Sequence, residues 1–522
     1  MSKGGLLHFL ILLCSYSVFG QAIKKSIPAT RAGSEIKIDG ILDEEAWQSA
    51  PVANDFIMYE PENGALELKG FETEIRILYT DDAVYIGALM RDPSPDSILR
   101  QLTKRDIYNE NCDWLGFFIN PYNDGLSDFN FWVTAAGTQS DSKTTLDGDD
   151  FSLNSVWNSS VQITDAGWIV EVEIPYLALR FPETPVKDWG LNFMRSIRRI
   201  RKTYTWNFLD LGSGNRLEYQ CGLLTGMSDI NPPIRLSMMP YVSTYLDDFN
   251  GSTTYDINAG LDLKYGLNES FTLDMTLIPD FGQVAYDPQF LNLSPFETQF
   301  TENRQFFTEG TELFNIGNLL YTRRIGGTPK NIQGVNLNSS DSVEIRQEYT
   351  RLINATKISG RTKTNMGIGV LNALTADNYS TKTEKGVKTE VLTEPLTNYN
   401  VLVFDQRFNR NSSVSLVNTN VMRKAAARDA NVSALLGSFY TKSGNHLLNL
   451  GVNQSAIFEN GSATTGYKSS VRLADVGGHW RWAGQGEMKT DKYNINDLGF
   501  QQRNNSAFVQ AEFGYRTTKP VG

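Results

Sequence analysis

The chain is poor in the side chains that most catalytic and metal sites require. It holds three histidines and three cysteines in 522 residues. His8 and Cys14 fall in the first twenty residues, and His446 and His479 fall in strands expected far downstream. The first unit is thus left without histidine, which excludes a Ser-His-Asp site, a Cys-His site or a histidine-ligated metal there. Cys112 and Cys221, with no histidine nearby, make a poor zinc site. One disulfide in an oxidising compartment and two buried thiols both stay open for them. Positive charge is short as well. Lys and Arg number 48 against 59 Asp and Glu, and the net charge of −11 disfavours nucleic acid as a partner. No run of about 18 apolar residues occurs after the leader, so no helix is expected to span a bilayer. A membrane role then requires a closed barrel, because open sheet edges leave backbone groups unsatisfied in lipid. Gly212-Ser213-Gly214-Asn215 lacks the lysine and helix of a phosphate cradle.

What is present begins with a leader. Lys3 supplies a positive start, Leu6 to Leu13 is apolar except for His8, and Val18-Phe19-Gly20 precedes Gln21. Residues 1–20 read as a signal peptide, with Cys14 removed along with it. A length of 522 residues suggests more than one domain. The rhythm changes at Asn231-Pro232-Pro233. Before it, strand candidates are short and aromatic: Glu74 to Tyr79, Val84 to Leu89, Trp114 to Ile119, Phe129 to Thr134, Trp168 to Ile174 and Leu191 to Ile197. Thr80-Asp81-Asp82-Ala83 marks a hairpin, and Asp43 to Trp47 reads as a helical turn with Asp43 as its cap. Residues 22–230 are therefore expected to form a jelly-roll-like β-sandwich.

After the change the strands lengthen and alternate. Ile257, Ala259, Leu261, Leu263, Tyr265 and Leu267 share one face, and Asn268-Glu269-Ser270 turns into Phe271, Leu273, Met275 and Leu277. The same pattern returns in Met366-Ile368-Val370, Leu448-Leu450-Val452 and Ala507 to Tyr515. Ten-residue strands with one apolar face, joined by polar turns, predict an all-β chain in which 233–522 is an antiparallel transmembrane barrel of a dozen or more strands. Residues 330–341 and 377–397 read as external loops, and 296–314, which does not alternate, as a plug or folded loop. The chain ends at Thr517 to Gly522 without the terminal aromatic strand common in such barrels, so the barrel is expected to be incomplete.

Among chemistry-bearing residues, aromatics outweigh acids. Glu171 and Glu173 share a strand face and Asp147, Asp149 and Asp150 crowd one loop, but no acid pair stands apart as a glycosidase would need. The acidic loop suits calcium through its oxygen ligands. Trp114, Trp132, Trp157 and Trp168 lie close in sequence, and sugars stack their C–H faces on such rings. Core packing is the competing reading for each. Trp157, flanked by Asn154, Ser155 and Asn158, is the first candidate contact, followed by Trp114 and Trp132. Arg195, Arg198, Arg199, Arg201 and Lys202 line a solvated face or meet acidic groups, with Arg198 the candidate contact.

Ile38-Asp39-Gly40-Ile41-Leu42-Asp43-Glu44-Glu45-Ala46-Trp47 resembles the opening of family 9 carbohydrate-binding modules, and Leu78 to Ile86 and Trp168 to Pro175 are similar to later parts of that family. The resemblance implies a β-sandwich that clamps sugars between aromatic rings, often beside a glycoside hydrolase and often with calcium. The second unit resembles an uncharacterised family of Gram-negative outer-membrane proteins in Pro279 to Val284, Asn292 to Thr298, Glu302 to Gly310 and Tyr321 to Gly326. Together these imply a glycan reader at the outer membrane, serving polysaccharide capture or catabolism, with the barrel as anchor or pore. Its expected partners are glycans, outer-membrane lipid and envelope proteins. Two other readings stay open: an envelope assembly or secretion component that binds no sugar, and a glycoside hydrolase or an accessory part of one.

Overall fold

Alternation in the first unit makes two facing sheets. The computed structural model describes residues 24–520, apart from 126–127, 146–147, 152, 154, 182–185, 231–232, 234, 250–251, 269, 280–290, 330–341, 345–349, 363, 385–386, 410–411 and 425–427. The leader, Asp147, Asn154 and the loop 330–341 thus lie outside the described residues. On the strand Trp114–Asn120, Leu115, Phe117 and Ile119 face the core, and Phe129, Phe131 and Val133 of the paired strand Phe129–Thr134 join them. Across the core stand Ile75 and Ile77 of Thr73–Tyr79, Ile86, Ala88 and Met90 of Ala83–Arg91, and Val170, Val172 and Ile174 of Gly167–Pro175. Burying each large side chain stabilises the fold by about 1.5–3 kcal/mol.

One sheet has nine strands and the other five. The expected hairpin forms, with Thr73–Tyr79 antiparallel to Ala83–Arg91. The N-terminal segment adds a parallel pairing to each sheet: Ser26–Pro28 joins Gly222–Ser228, and Thr30–Arg31 joins Thr73–Tyr79. The helical turn is present one step later than expected, at Glu45–Ser49. Its N-cap residue is Glu44, which makes no side-chain cap bond, so Asp43 is not the cap. Cys112 and Cys221 are both buried free thiols, which closes the disulfide alternative.

The second unit is one meander of twelve antiparallel strands, from Leu236–Phe249 to Ser506–Tyr515. The chain is therefore all-β with two very short α-helices among the described residues. No pairing joins the first and last of the twelve strands among the described residues, so they form an open sheet rather than the expected closed cylinder. Its outward face is apolar over neighbouring strands: Leu402, Phe404, Leu416, Leu435, Leu450, Val452 and Val471 are all exposed. Near one rim this face carries Phe408 and Phe439 together, and Trp480 with Phe513 and Tyr515. His446 opens a strand, whereas His479 lies in the turn before Trp480–Lys489. The segment expected as an external loop at 377–397 instead carries a hairpin, Asn378–Glu384 with Val387–Glu394.

The inward face is covered. Phe307, Leu313, Phe314, Leu319 and Ile325 pack with Leu371, Val401, Val403 and Val417 of the strands in one apolar cluster. Gly367 and Gly369 make room: a β-carbon on Gly369 would meet the Phe314 ring at 3.1 Å and Leu313 at 3.3 Å. Charge fixes the same segment. Lys264 pairs with Glu309 at 2.6 Å, and buried Lys357 donates to the carbonyls of Phe306 and Glu309.

The two units touch at one end of the twelve-stranded sheet. Asn63 N–H donates to the Thr518 carbonyl, Gly478 N–H to the Gly212 carbonyl, and Arg481 Nη2 to the Leu211 carbonyl. Gly214 lies so close to Gly444 that a β-carbon would sit 2.4 Å from its carbonyl oxygen. Lys143 of the sandwich pairs at 2.7 Å with Glu312 of the inserted segment.

Candidate functional site

The conspicuous acids and bases of the first unit hold the fold together. Glu171 is fully buried, and its carboxylate accepts hydrogen bonds from Asp39 N–H (3.0 Å), Gly40 N–H (2.7 Å) and Trp47 Nε1 (3.1 Å). Gly40 turns there at φ +86°, a left-handed conformation that favours glycine. Burial raises the Glu171 pKa, against the pull of these donors. Glu173, two residues along the same strand, binds elsewhere: it accepts from Asn158 Nδ2 at 2.7 Å and Tyr85 OH at 3.2 Å. Asn158 is thereby engaged in an exposed hydrogen bond to Glu173 rather than beside the other candidates.

The basic run does not form one face. Arg195 is fully buried, donating to the Phe71 and Arg91 carbonyls at 2.6 and 2.7 Å, and burial lowers its pKa to about 10. Arg199 forms a two-pronged bridge to Asp92 at 2.6 and 2.7 Å. Arg198 is exposed, and its backbone N–H donates to Asp113. The expectation of a shared solvated stripe fails because alternation and the 3-10 turn Arg198–Ile200 send neighbours to different sides.

The tryptophans separate. Trp157, the first sequence candidate, is 4% exposed, packs edge-on against Phe131 at 5.4 Å, and donates its Nε1 to Asp141 at 3.2 Å. A ring enclosed in the core cannot stack on a sugar, so this residue is structural. Trp132 is 2% exposed, but its surroundings differ. It lies on the outer face of the nine-stranded sheet, under Tyr108 (stacked, 4.5 Å between ring centres) and Phe151 (5.7 Å). Phe118 and Trp114 complete the cluster, Phe118 edge-on to Trp132 at 5.8 Å and Trp114 edge-on to Tyr108 at 5.2 Å. Trp132 is the floor; half-buried Tyr108 and Trp114 and exposed Phe151 are the rings that reach solvent.

Strand register builds this platform. Trp114, Gly116 and Phe118 alternate outward, and Gly116 pairs with Trp132. A β-carbon at Gly116 would lie 2.7 Å from the indole, so glycine is what lets the ring lie flat. Asn130, one register step along, donates from Nδ2 to Thr144 Oγ1 (2.6 Å) and Ser142 Oγ (3.2 Å), while its buried Oδ1 has no partner among the described residues. Ser140 Oγ, opposite Trp132, is likewise buried without a partner among the described residues. Rings flanked by hydroxyls and an amide match the composition of a ligand site. Sequence reading missed Tyr108, Phe118, Phe151 and Asn130; the signal available was the small Gly116 between two outward aromatics.

For the acidic loop, Asp149 Oδ1 accepts from Thr144 Oγ1 at 2.8 Å, so it braces the platform. No group of three His, Cys, Asp or Glu side chains is arranged for a metal among the described residues. Asp147 lies outside them, and the calcium expectation with it.

Residues 232–522 match the family model described as Domain of unknown function (DUF5916), and residues 38–199 match Carbohydrate family 9 binding domain-like. No curated protein matches the chain. Among solved structures, a protein from Bacteroides uniformis provisionally described as carbohydrate-binding is 12% identical, covering 39% of this chain and 99% of its own, with a TM-score of 0.31. OmpT of Vibrio cholerae, an outer membrane protein, is 12% identical over 53% of this chain and 94% of its own, with a TM-score of 0.24. OprB of Pseudomonas putida is 7% identical over 77% and 90%, with a TM-score of 0.18. Scores this low do not establish a common fold.

Proposed function

The chain belongs to the family of the Domain of unknown function (DUF5916), and on that premise we propose that it is a glycan reader held in the outer membrane. The leader at 1–20 exports it, the sandwich at 22–230 binds carbohydrate, and 233–522 forms barrel wall with an inserted plug. The observation that carries the reading is the aromatic platform on a family-9-like sandwich. Trp114, Tyr108 and Phe151 offer ring faces and edges to a sugar's C–H surface, with Asn130 and Ser140 buried beneath them. Binding needs no covalent step. The outward apolar face of the twelve strands supports insertion in lipid, since it matches the one-sided apolar band of outer-membrane barrels.

Calorimetry of the full chain in detergent micelles against soluble oligosaccharides tests this. Trp114→Ala is expected to weaken binding at least tenfold with little change in melting temperature, whereas Trp157→Ala lowers the melting temperature. A folded protein that binds no oligosaccharide overturns the sugar-binding reading. The assembly reading, favoured by the contacts between the two units, would then take its place. The hydrolase reading finds less support, because most of the buried carboxylates of the sandwich are committed: Glu171 to Trp47, Asp92 to Arg199, Asp141 to Trp157 and Asp113 to the Arg198 N–H.

A further inference from the structure

The twelve strands have two unlike ends. At the end where Leu236 leaves the sandwich, the connections are 267–270, 362–365, 409–411, 441–445 and 476–479, none longer than five residues. At the other end they include 278–351, 376–396 and 490–505. In outer-membrane barrels short turns face the periplasm and long loops face outside. Each contact between the units already described falls on the short-turn side or on the inserted segment. Gly444 and Gly478 lie in two of the short turns, Arg481 starts the next strand, and Thr518 follows the last one. Glu312, which meets Lys143, belongs to a segment that enters from the long-loop end and runs inward to Gly367 and Gly369, next to the short turn 362–365.

We propose that the sandwich is a periplasmic cap seated on the short-turn mouth, with 210–216 and Lys143 as its contact surface. The inference rests on the barrel reading above and adds the side. The carbohydrate it meets is then one already inside the outer membrane, not one free in the medium. The platform stands beside this mouth. The strand Gln139–Thr145 carries Ser140 opposite Trp132 on one face and, three residues on, Lys143 on the other, where it meets Glu312.

Cysteine labelling in intact Gram-negative cells tests the side. Cys112 and Cys221 are buried, so the unmodified chain gives a low background. Val156→Cys marks the sandwich at a residue 86% exposed, and Ser462→Cys marks the tight turn at the opposite end. Both should react equally in detergent, which controls for folding. A membrane-impermeant maleimide is expected to label Ser462→Cys in intact cells, and Val156→Cys only after the outer membrane is permeabilised. Labelling of Val156→Cys in intact cells overturns the cap. Protection of both variants with the protein still in the membrane fraction overturns the assignment of ends. Protection of both with the protein released by osmotic shock sinks the barrel reading itself, a result distinct from the other two.

Discussion

Glu171→Ala should cripple the first unit without touching the aromatic platform. The carboxylate serves three donors, of which Gly40 N–H and Trp47 Nε1 are buried. The alanine leaves both without an acceptor and without access to water. An abandoned buried donor costs about 1–3 kcal/mol, so the two together cost roughly 4 kcal/mol. Asp39 N–H is part-buried and recovers a water, so it adds little. The loss also frees the 38–47 segment, because Trp47 fills the space over Gly87, where a β-carbon would lie 3.0 Å from the indole. For a unit of about 200 residues, each kcal/mol moves the melting temperature by about 2–4 °C, so the shift is about 8–16 °C downward. Glu171→Gln keeps one carbonyl oxygen as acceptor and should lose about half as much. The assay is thermal unfolding followed by tryptophan fluorescence, with sugar binding measured at a temperature where both variants are folded. An alanine variant that melts within about 2 °C of the parent refutes the reasoning, since it would mean that the three bonds are replaced by water at no cost.

Two further outcomes are expected. Burial, with Glu218 nearby, pushes the Asp128 carboxyl up to about 8, and burial likewise raises Glu67 to about 7 and Asp113 to about 6. Acids raised in the folded state bind more protons there than when unfolded, so their stabilisation is full below about pH 4 and lost as pH climbs through the folded values; the melting temperature should fall between pH 5 and pH 8.5, Asp128→Asn should flatten that fall, and a flat profile in the parent would contradict it. Leu402→Arg on the outward face should destabilise the protein in bilayers by about 2–4 kcal/mol, measured by urea unfolding in lipid vesicles, while leaving a water-soluble globule unaffected.

Strand periodicity was legible because it is local. The hairpin at residues 80–83, the turn at 268–270 and the outward sets around Leu450 follow from period two alone. What covers a face is not local. Trp157 and Trp132 look alike in sequence, yet a neighbour 16 residues away, Asp141, fixes Trp157 in the core, while Tyr108, 24 residues away, roofs Trp132 on the outside. Arg195 and Arg198 share a basic run, but one lies on the inner register of its strand and the other at a turn. The helical turn was displaced for a similar reason. Its position is set by Glu171, more than a hundred residues on, and not by a local cap.

The hairpin between residues 139 and 150 gives the two units a physical means of influencing one another. One face supplies Ser140, Ser142 and Thr144 to the platform, and the opposite face supplies Lys143 to Glu312. Coupling of this kind is reciprocal: whatever binding at the platform does to the seating of the inserted segment, displacement of that segment must do to binding. Its size is limited by the ion pair that carries it, and Lys143 and Glu312 are each mostly enclosed, with 22% and 28% of their side chains exposed. Pairs so shielded from water are less screened by salt than surface pairs, so the link between the two units persists at physiological ionic strength.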